Sequence, residues 1–239
     1  MENGQILGFL DIPIIANYNI CMMRKNYPVY IGISVIIAMF IMAIYFYPIV
    51  PERIAIHFNA HGIADSFLGK FWGLFLLPLF SVLLFAIFTV IPIIDPLGKN
   101  IKEFRFYYNM FVALFMLFMF YIELVIILWN IGIRLNIVRF ISAPIGLIYI
   151  YLGVLLLKTK RNWFIGVRTH WTISNEDVWN RTNGLAGRFF IVDGVLVMLS
   201  FIYGKFIMFF MVWIVLGGML FVVIYSYVLW TKMNKEGEL

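Results

Sequence analysis

Three groups of side chains in this chain have the types and spacing for chemistry. His57 and His61 stand four residues apart, with Glu52 and Asp65 close by in the sequence. On a helix, two imidazoles at that spacing share one face and with a carboxylate could hold zinc. Glu123 and Asp193 are acids inside long apolar runs. There an ionised group costs on the order of 2.5–3.5 kcal/mol on insertion scales and must face protein or water. The third group lies between Lys158 and Gly184, in KTKRNWFIGVRTHWTISNEDVWNRTNG, which holds five basic residues and three of the seven tryptophans. Asn162, Gly166, Arg168, Thr169, Trp171, Thr172, Ser174, Asn175, Glu176 and Trp179 crowd donors, acceptors and ring faces together. That mixture suits a surface that docks another protein or a phosphate-bearing group. The blander reading is a basic loop with aromatic anchors.

The elements that must carry these residues narrow the choices. From Arg53 to Asn59, Ile54, Ile56 and Phe58 alternate with Ala55, His57 and Asn59, the period of a strand. Asn59-Ala60-His61-Gly62 then reads as a turn, with glycine free to take a positive φ. A hairpin between Pro48 and Lys70 takes the two histidines off a helical face. No metal or cofactor is therefore expected; the candidate ligands are His57 and His61, with Asp65 or Glu52 as the third. Pro51, His57, Phe58, Asn59, Gly62 and Asp65 become residues of an outer recognition loop instead. In the inner loop, Ser174 followed three residues later by Asp177 has the form of a capping box. Glu176 and Asp177 suit the first turn, and Asp177 precedes Arg181 by four. A helix is predicted from about Asn175 through Trp179 into the following apolar span, with a bend near Gly184.

Composition sets the surroundings. Of 239 residues, 64% are hydrophobic and 13% charged, and the mean hydropathy is +0.97. So few charges could hardly cover a water-soluble domain of this size. Six segments are long and apolar enough to cross a bilayer: 29–47, 71–94, 106–128, 140–157, 185–203 and 206–230. Each should be helical, because lipid offers backbone groups no partners. The predicted fold is an all-α polytopic membrane protein with six transmembrane helices, a small extracellular hairpin and a structured cytoplasmic loop. Its parts are an N-terminal interfacial segment (1–28), three spans with the outer loop 48–70 (29–128), and three further spans with the inner loop 158–184 (129–239). Residues 6–23 are apolar but broken by Asp11, Pro13, Asn17 and Asn19. They read as an interfacial or re-entrant helix in preference to a seventh span. With the N-terminus inside, thirteen lysines and arginines fall on the inner side and five on the outer. Both termini are therefore expected in the cytoplasm. The net charge of +6 is a topology signal of these short loops and predicts no direct nucleic-acid binding. The N-terminus, with Glu2 and Asp11 and no basic region, does not read as a cleavable signal. The single cysteine, Cys21, allows no intrachain disulfide.

The stretch NWFIGVRTHWTISNEDVWNRTNGLAG resembles the signature of the SdpI family of bacterial and archaeal membrane proteins, usually near N-x-x-x-G-I-R-T-P-W-T-L-S-N-E-x-V-W-x-x-T-H-R-x-x-G. PERIAIHFNAHGIAD, from Pro51 to Asp65, resembles the small domain that precedes it in many members. The chain departs from the family pattern at Arg161 and His170, where proline is frequent, at Asn183-Gly184, where His-Arg is usual, and at His61. The resemblance implies an immunity and signalling protein without enzymatic chemistry. By this analogy the outer hairpin would recognise an extracellular peptide toxin, and the inner loop would bind a cytoplasmic transcriptional repressor. Two other classes stay open. Glu123 and Asp193 could line the path of a small-solute or peptide transporter. A metal-dependent membrane hydrolase would need His57, His61 and Asp65, as neither HExxH nor GxSxG occurs.

Overall fold

A computed structural model describes residues 11–59, 61–202, 210 and 212–235. In chain order the elements are α1 (Asp11–Phe46), β1 (Arg53–Phe58), β2 (Ala64–Gly69), α2 (Lys70–Ile94), α3 (Gly98–Asn130) and α4 (Ile137–Lys158). The short helix α5 (His170–Ser174), α6 (Glu176–Leu199), a π-helical turn (Trp213–Gly218) and α7 (Met219–Lys235) complete them. Among the described residues six helices are long and apolar enough to span a membrane, the first from Pro28 to Phe46 and the last from Leu216 to Lys235. The protein is thus a multi-pass helical membrane protein with one small sheet, as its hydropathy predicts.

The helix ends differ from the ends of the apolar windows. Helix α3 begins at Gly98, eight residues before the window's start at 106. Helix α6 begins at Glu176, because the Asn175 side chain accepts the Val178 amide and the acids of the first turn face the positive end of the helix dipole. It runs unbroken through Gly184, and the predicted bend is absent. The reason is packing. Ala186 and Gly187, just beyond, are buried and Gly187 lies against α4, so the apolar face continues. Helix α1 runs through Pro28 without interruption.

Four glycines set the tightest contact between spans. A methyl group on Gly153 would sit 2.5 Å from the Gly187 carbonyl oxygen, and one on Gly146 would sit 2.4 Å from that of Gly194. The converse distances, from Gly187 and Gly194, are 2.7 and 2.6 Å. Both pairs are seven residues apart on their helix, so they fall on one face of α4 and one face of α6. Small residues let backbones approach where lipid supplies no hydrophobic drive between helices.

Two prolines inside spans are compensated by tyrosines of α3. Proline removes the amide that would bond the carbonyl four residues earlier. Pro92 leaves the Phe88 carbonyl, which accepts from the Tyr108 hydroxyl at 2.6 Å. Pro144 leaves the Phe140 carbonyl, which accepts from the Tyr121 hydroxyl at 3.0 Å. Helix α3 thereby ties α2 on one side to α4 on the other.

The two polar loops lie at opposite ends of this bundle. The hairpin bonds to Asn130, the last residue of α3. The inner loop bonds to Asp95 and Asn100, at the turn where α2 passes into α3. Helix α3, kinked at Phe104, runs from one turn to the other, so its 33 residues separate the loops by at most roughly 50 Å at 1.5 Å per residue.

Candidate functional site

The inner loop has an inward-facing layer and an outward-facing layer. Its inner layer is hydrogen-bonded almost throughout. Asn162 is fully buried; its Oδ1 accepts from the amides of Phe164 (2.9 Å) and Ile165 (2.6 Å), while Nδ2 donates to the carbonyls of Lys160 and Ile165. Gly166 takes φ 122°, a backbone shape that other residues rarely adopt. A side chain there would also meet the Asn183 oxygen at 2.6 Å. That oxygen accepts the Val167 amide at 2.8 Å, and the Asn183 Nδ2 donates to the Trp179 carbonyl. Trp179 is 0% exposed, and its indole N–H reaches the Thr159 carbonyl at 3.3 Å.

The capping box forms, but one turn earlier than the sequence predicts. Thr169 caps α5: its hydroxyl accepts the Thr172 amide, and the buried Thr172 hydroxyl accepts the Thr169 amide. Ser174 ends α5 and donates to the Trp171 carbonyl, so it is not the cap of α6; Asn175 is. The correction has a physical reason: the chain makes two consecutive starts, and threonine at 169 already has a hydroxyl three residues on. Trp171 is half-buried. Its indole N–H donates to the Ser226 hydroxyl and its ring meets Tyr227 edge-on at 5.2 Å, which fastens α5 to α7.

Asn162, Thr172 and Trp179 therefore shape the loop from inside. What faces out is Trp163 (49% exposed), Phe164, Arg168, His170, Ser174 and Glu176. Arg168 donates to the Trp163 carbonyl, which fixes the guanidinium beside that ring's backbone. Trp163, Arg168, His170 and Ser174 line, with Thr169 and Ile173, an outward groove of about 470 Å³. This strip combines rings, a cation and hydroxyls, with no paired base and nucleophile.

Several framework residues went unread in the sequence. Asp95 accepts the Leu97 amide with one oxygen and the Trp163 amide with the other, at 2.7 and 2.9 Å. Asn100 donates to the Arg161 carbonyl, and Arg161 itself donates to the carbonyls of Ile173 and Ser174. Arg161 and Asn183, two of the departures from the family pattern, thus hold the loop's shape. The Asp95-Pro96 step was the available signal for a fixed turn there.

At the other end, the hairpin forms as predicted between Arg53 and Gly69. Asn59 makes the turn: its side chain accepts the amides of His61 and Ile63, and Gly62 takes φ 75°. Ile54 and Ala55 are both buried, with irregular register at Ala55–His57 and His57–Phe58. A bulge breaks the strict alternation that the sequence suggests. The Asn130 side chain mimics a neighbouring strand, taking the Ala55 amide and giving to the Ala55 carbonyl at 2.9 and 3.0 Å. Ile54 packs with Ala43, Val50, Leu74 and Ile127, so the hairpin is a fixed lid on α1, α2 and α3. Phe58 rests on Trp129, and Pro51, His57 and Asp65 are exposed. His57 Nδ1 lies 2.5 Å from Asp65 Oδ1. Among the described residues no three His, Cys, Asp or Glu side chains stand close enough to hold a metal.

Glu123 and Asp193 are both buried, and neither carboxylate oxygen pair has a hydrogen-bond partner. Lys205, between the fifth and sixth apolar segments, lies outside the described residues. Glu123 is seven residues from the end of α3 and Asp193 six from the end of α6, both ends being on the hairpin side. The two acids therefore share a depth, roughly 10 Å inside that end.

The two loops fall within two different family matches. Residues 158–228 match the SdpI/YfhL protein family, and residues 35–82 match a domain of unknown function, DUF1648. The chain is 27% identical over 213 residues to "Immunity protein SdpI" of Bacillus subtilis (strain 168), covering 89% of this chain and 99% of that protein. No solved structure matches. These similarities bear out the resemblance read in the inner loop, and the family match runs from the start of that loop into α7.

Proposed function

We propose that this is a membrane immunity and signalling protein that acts by recognition, without enzymatic chemistry. The hairpin end recognises an extracellular toxic peptide through Phe58, Asn59, Asp65 and their neighbours. The inner loop presents Trp163, Phe164, Arg168, His170 and Ser174 to a cytoplasmic repressor. The excess of lysine and arginine supports the orientation, with both termini inside. Similarity to an immunity protein along nearly its whole length supports the class.

The observation that carries the reading is the two-layered inner loop. Every buried polar residue of the motif outside the helical spans is used to hold backbone, while the exposed strip of rings, cation and hydroxyls is left over. A tether would not need such a fixed frame for an outward strip. Coupling the two ends further requires the external ligand to bind two states of the bundle unequally.

Affinity capture of cytoplasmic proteins by detergent-solubilised wild type, Trp163→Ala and Arg168→Ala tests this. The repressor is expected with wild type, and at least tenfold less of it with each variant, in line with loss of an interface hot spot. Equal recovery from correctly inserted variants contradicts it. Trp171→Ala is the wrong test, because that ring fastens α5 to α7.

Transport is a second reading, favoured by the two unpartnered acids at one depth. Solute flux in liposomes that disappears in Asp193→Asn would favour it over recognition.

A further inference from the structure

A second cavity, which shares Arg168 and Thr169 with the outward groove, lies on the flank of the inner loop that faces the spans. It measures about 240 Å³ and runs between α6 and α7, walled by Phe189, Phe190, Met219, Val222 and Val223, with Arg168 at its rim. Val167 and Phe190 pack there against Leu156, Ala186 and Val222, so the loop dips back along the helices at this point. Gly187 contacts Gly153, five residues from the end of α4, which puts the walls roughly 8 Å inside that helix end.

We propose that this slot holds one acyl chain of an anionic glycerophospholipid, with the lipid phosphate on Arg168. The slot lies between two spanning helices, so the medium beside it is lipid; its helix walls are apolar, and its polar groups are those of Arg168 and Thr169 on the loop side. An α-helix with its side chains is about 10–12 Å across and does not fit the volume, whereas a segment of one hydrocarbon chain does. The cation selects the headgroup. Arg168 spends one N–H on the Trp163 carbonyl, and the guanidinium has five to give in a fork that matches phosphate. The segment around it is basic as well: from Lys158 to Gly184 there are four other lysines and arginines against Glu176 and Asp177. A basic rim over an apolar slot between helices is how membrane proteins select anionic headgroups.

Thermal unfolding of the purified protein in a neutral detergent, titrated with dioleoyl phosphatidylglycerol or dioleoyl phosphatidylcholine, tests the site. The anionic lipid should bind roughly tenfold more tightly, the difference made by one charge-assisted pair. Arg168→Gln should bring the two lipids within about twofold of each other. Val222→Trp, which fills the slot, should abolish saturable binding of both, and Val223→Phe tests the same wall should that variant fail to fold. Arg188→Gln, exposed on α6 and outside the slot, should leave the preference intact. Retention of the preference in Arg168→Gln, undiminished binding in the wall variants, or full competition by glycerol phosphate without acyl chains would each overturn the proposal.

Discussion

Asn162 and Asn183 show how a few side chains can turn a polar loop into a rigid body. Each bonds backbone on both its oxygen and its nitrogen, and both are buried. An unmet backbone group at such a place costs about 1–3 kcal/mol, so the loop can hold Gly166 in its unusual shape. His170 is the position that is least settled. It is the first residue of α5, after an extended Thr169, and is exposed. Proline suits that site, because its fixed φ matches a helix start and the amide is not needed there. His170→Pro is expected to stabilise the protein by about 0.4–1 kcal/mol, through a less disordered unfolded chain. A rise of roughly 1–4 °C in the thermal midpoint would register it; a fall would mean that the His170 amide or ring is doing something the structure does not show. The residue types of the loop are legible from sequence, and so is the start of α6 to within one residue, although the cap is Asn175 and not Ser174. Which side chains turn inward was not legible. Asn162, Thr172 and Trp179 look as suited to a partner as Arg168 until their burial is known, because polarity alone does not distinguish a side chain that binds its own backbone from one left free.

At the scale of elements, the spans were read correctly because bilayer thickness and backbone satisfaction leave few alternatives. Their ends were not, since hydropathy windows ignore caps such as Asn175 and Asn136. The pairing of α4 with α6 was also hidden: glycines seven apart are common in apolar sequence, and only the structure shows Gly146, Gly153, Gly187 and Gly194 meeting backbone to backbone. Gly153→Leu is expected to cost more than about 3 kcal/mol, since the new side chain must displace a carbonyl rather than a flexible neighbour. Gly184→Ala, with open space around it in the same pair of helices, should instead stabilise by about 0.5–1 kcal/mol. Unfolding monitored in detergent would compare them, and equal effects would show that the close approach of α4 and α6 contributes little. The tyrosine contacts to carbonyls freed by Pro92 and Pro144 were beyond sequence reading for the same reason: they link residues 20 and 19 positions apart whose juxtaposition depends on how the helices pack.

For the molecule as a whole, the account rests on separation. Two docked loops, each fixed to a different end of α3, give the protein two faces that cannot touch one partner at once. Sequence alone gave the order of spans between them, and hence their opposite placement; the charge bias adds the direction. The most direct measurement is cysteine labelling in intact cells. In a Cys21→Ser background, His61→Cys on the hairpin and His170→Cys on the inner loop are both at exposed positions. A membrane-impermeant maleimide should label His61→Cys in intact cells and His170→Cys only after permeabilisation. Labelling of both in intact cells would contradict the account.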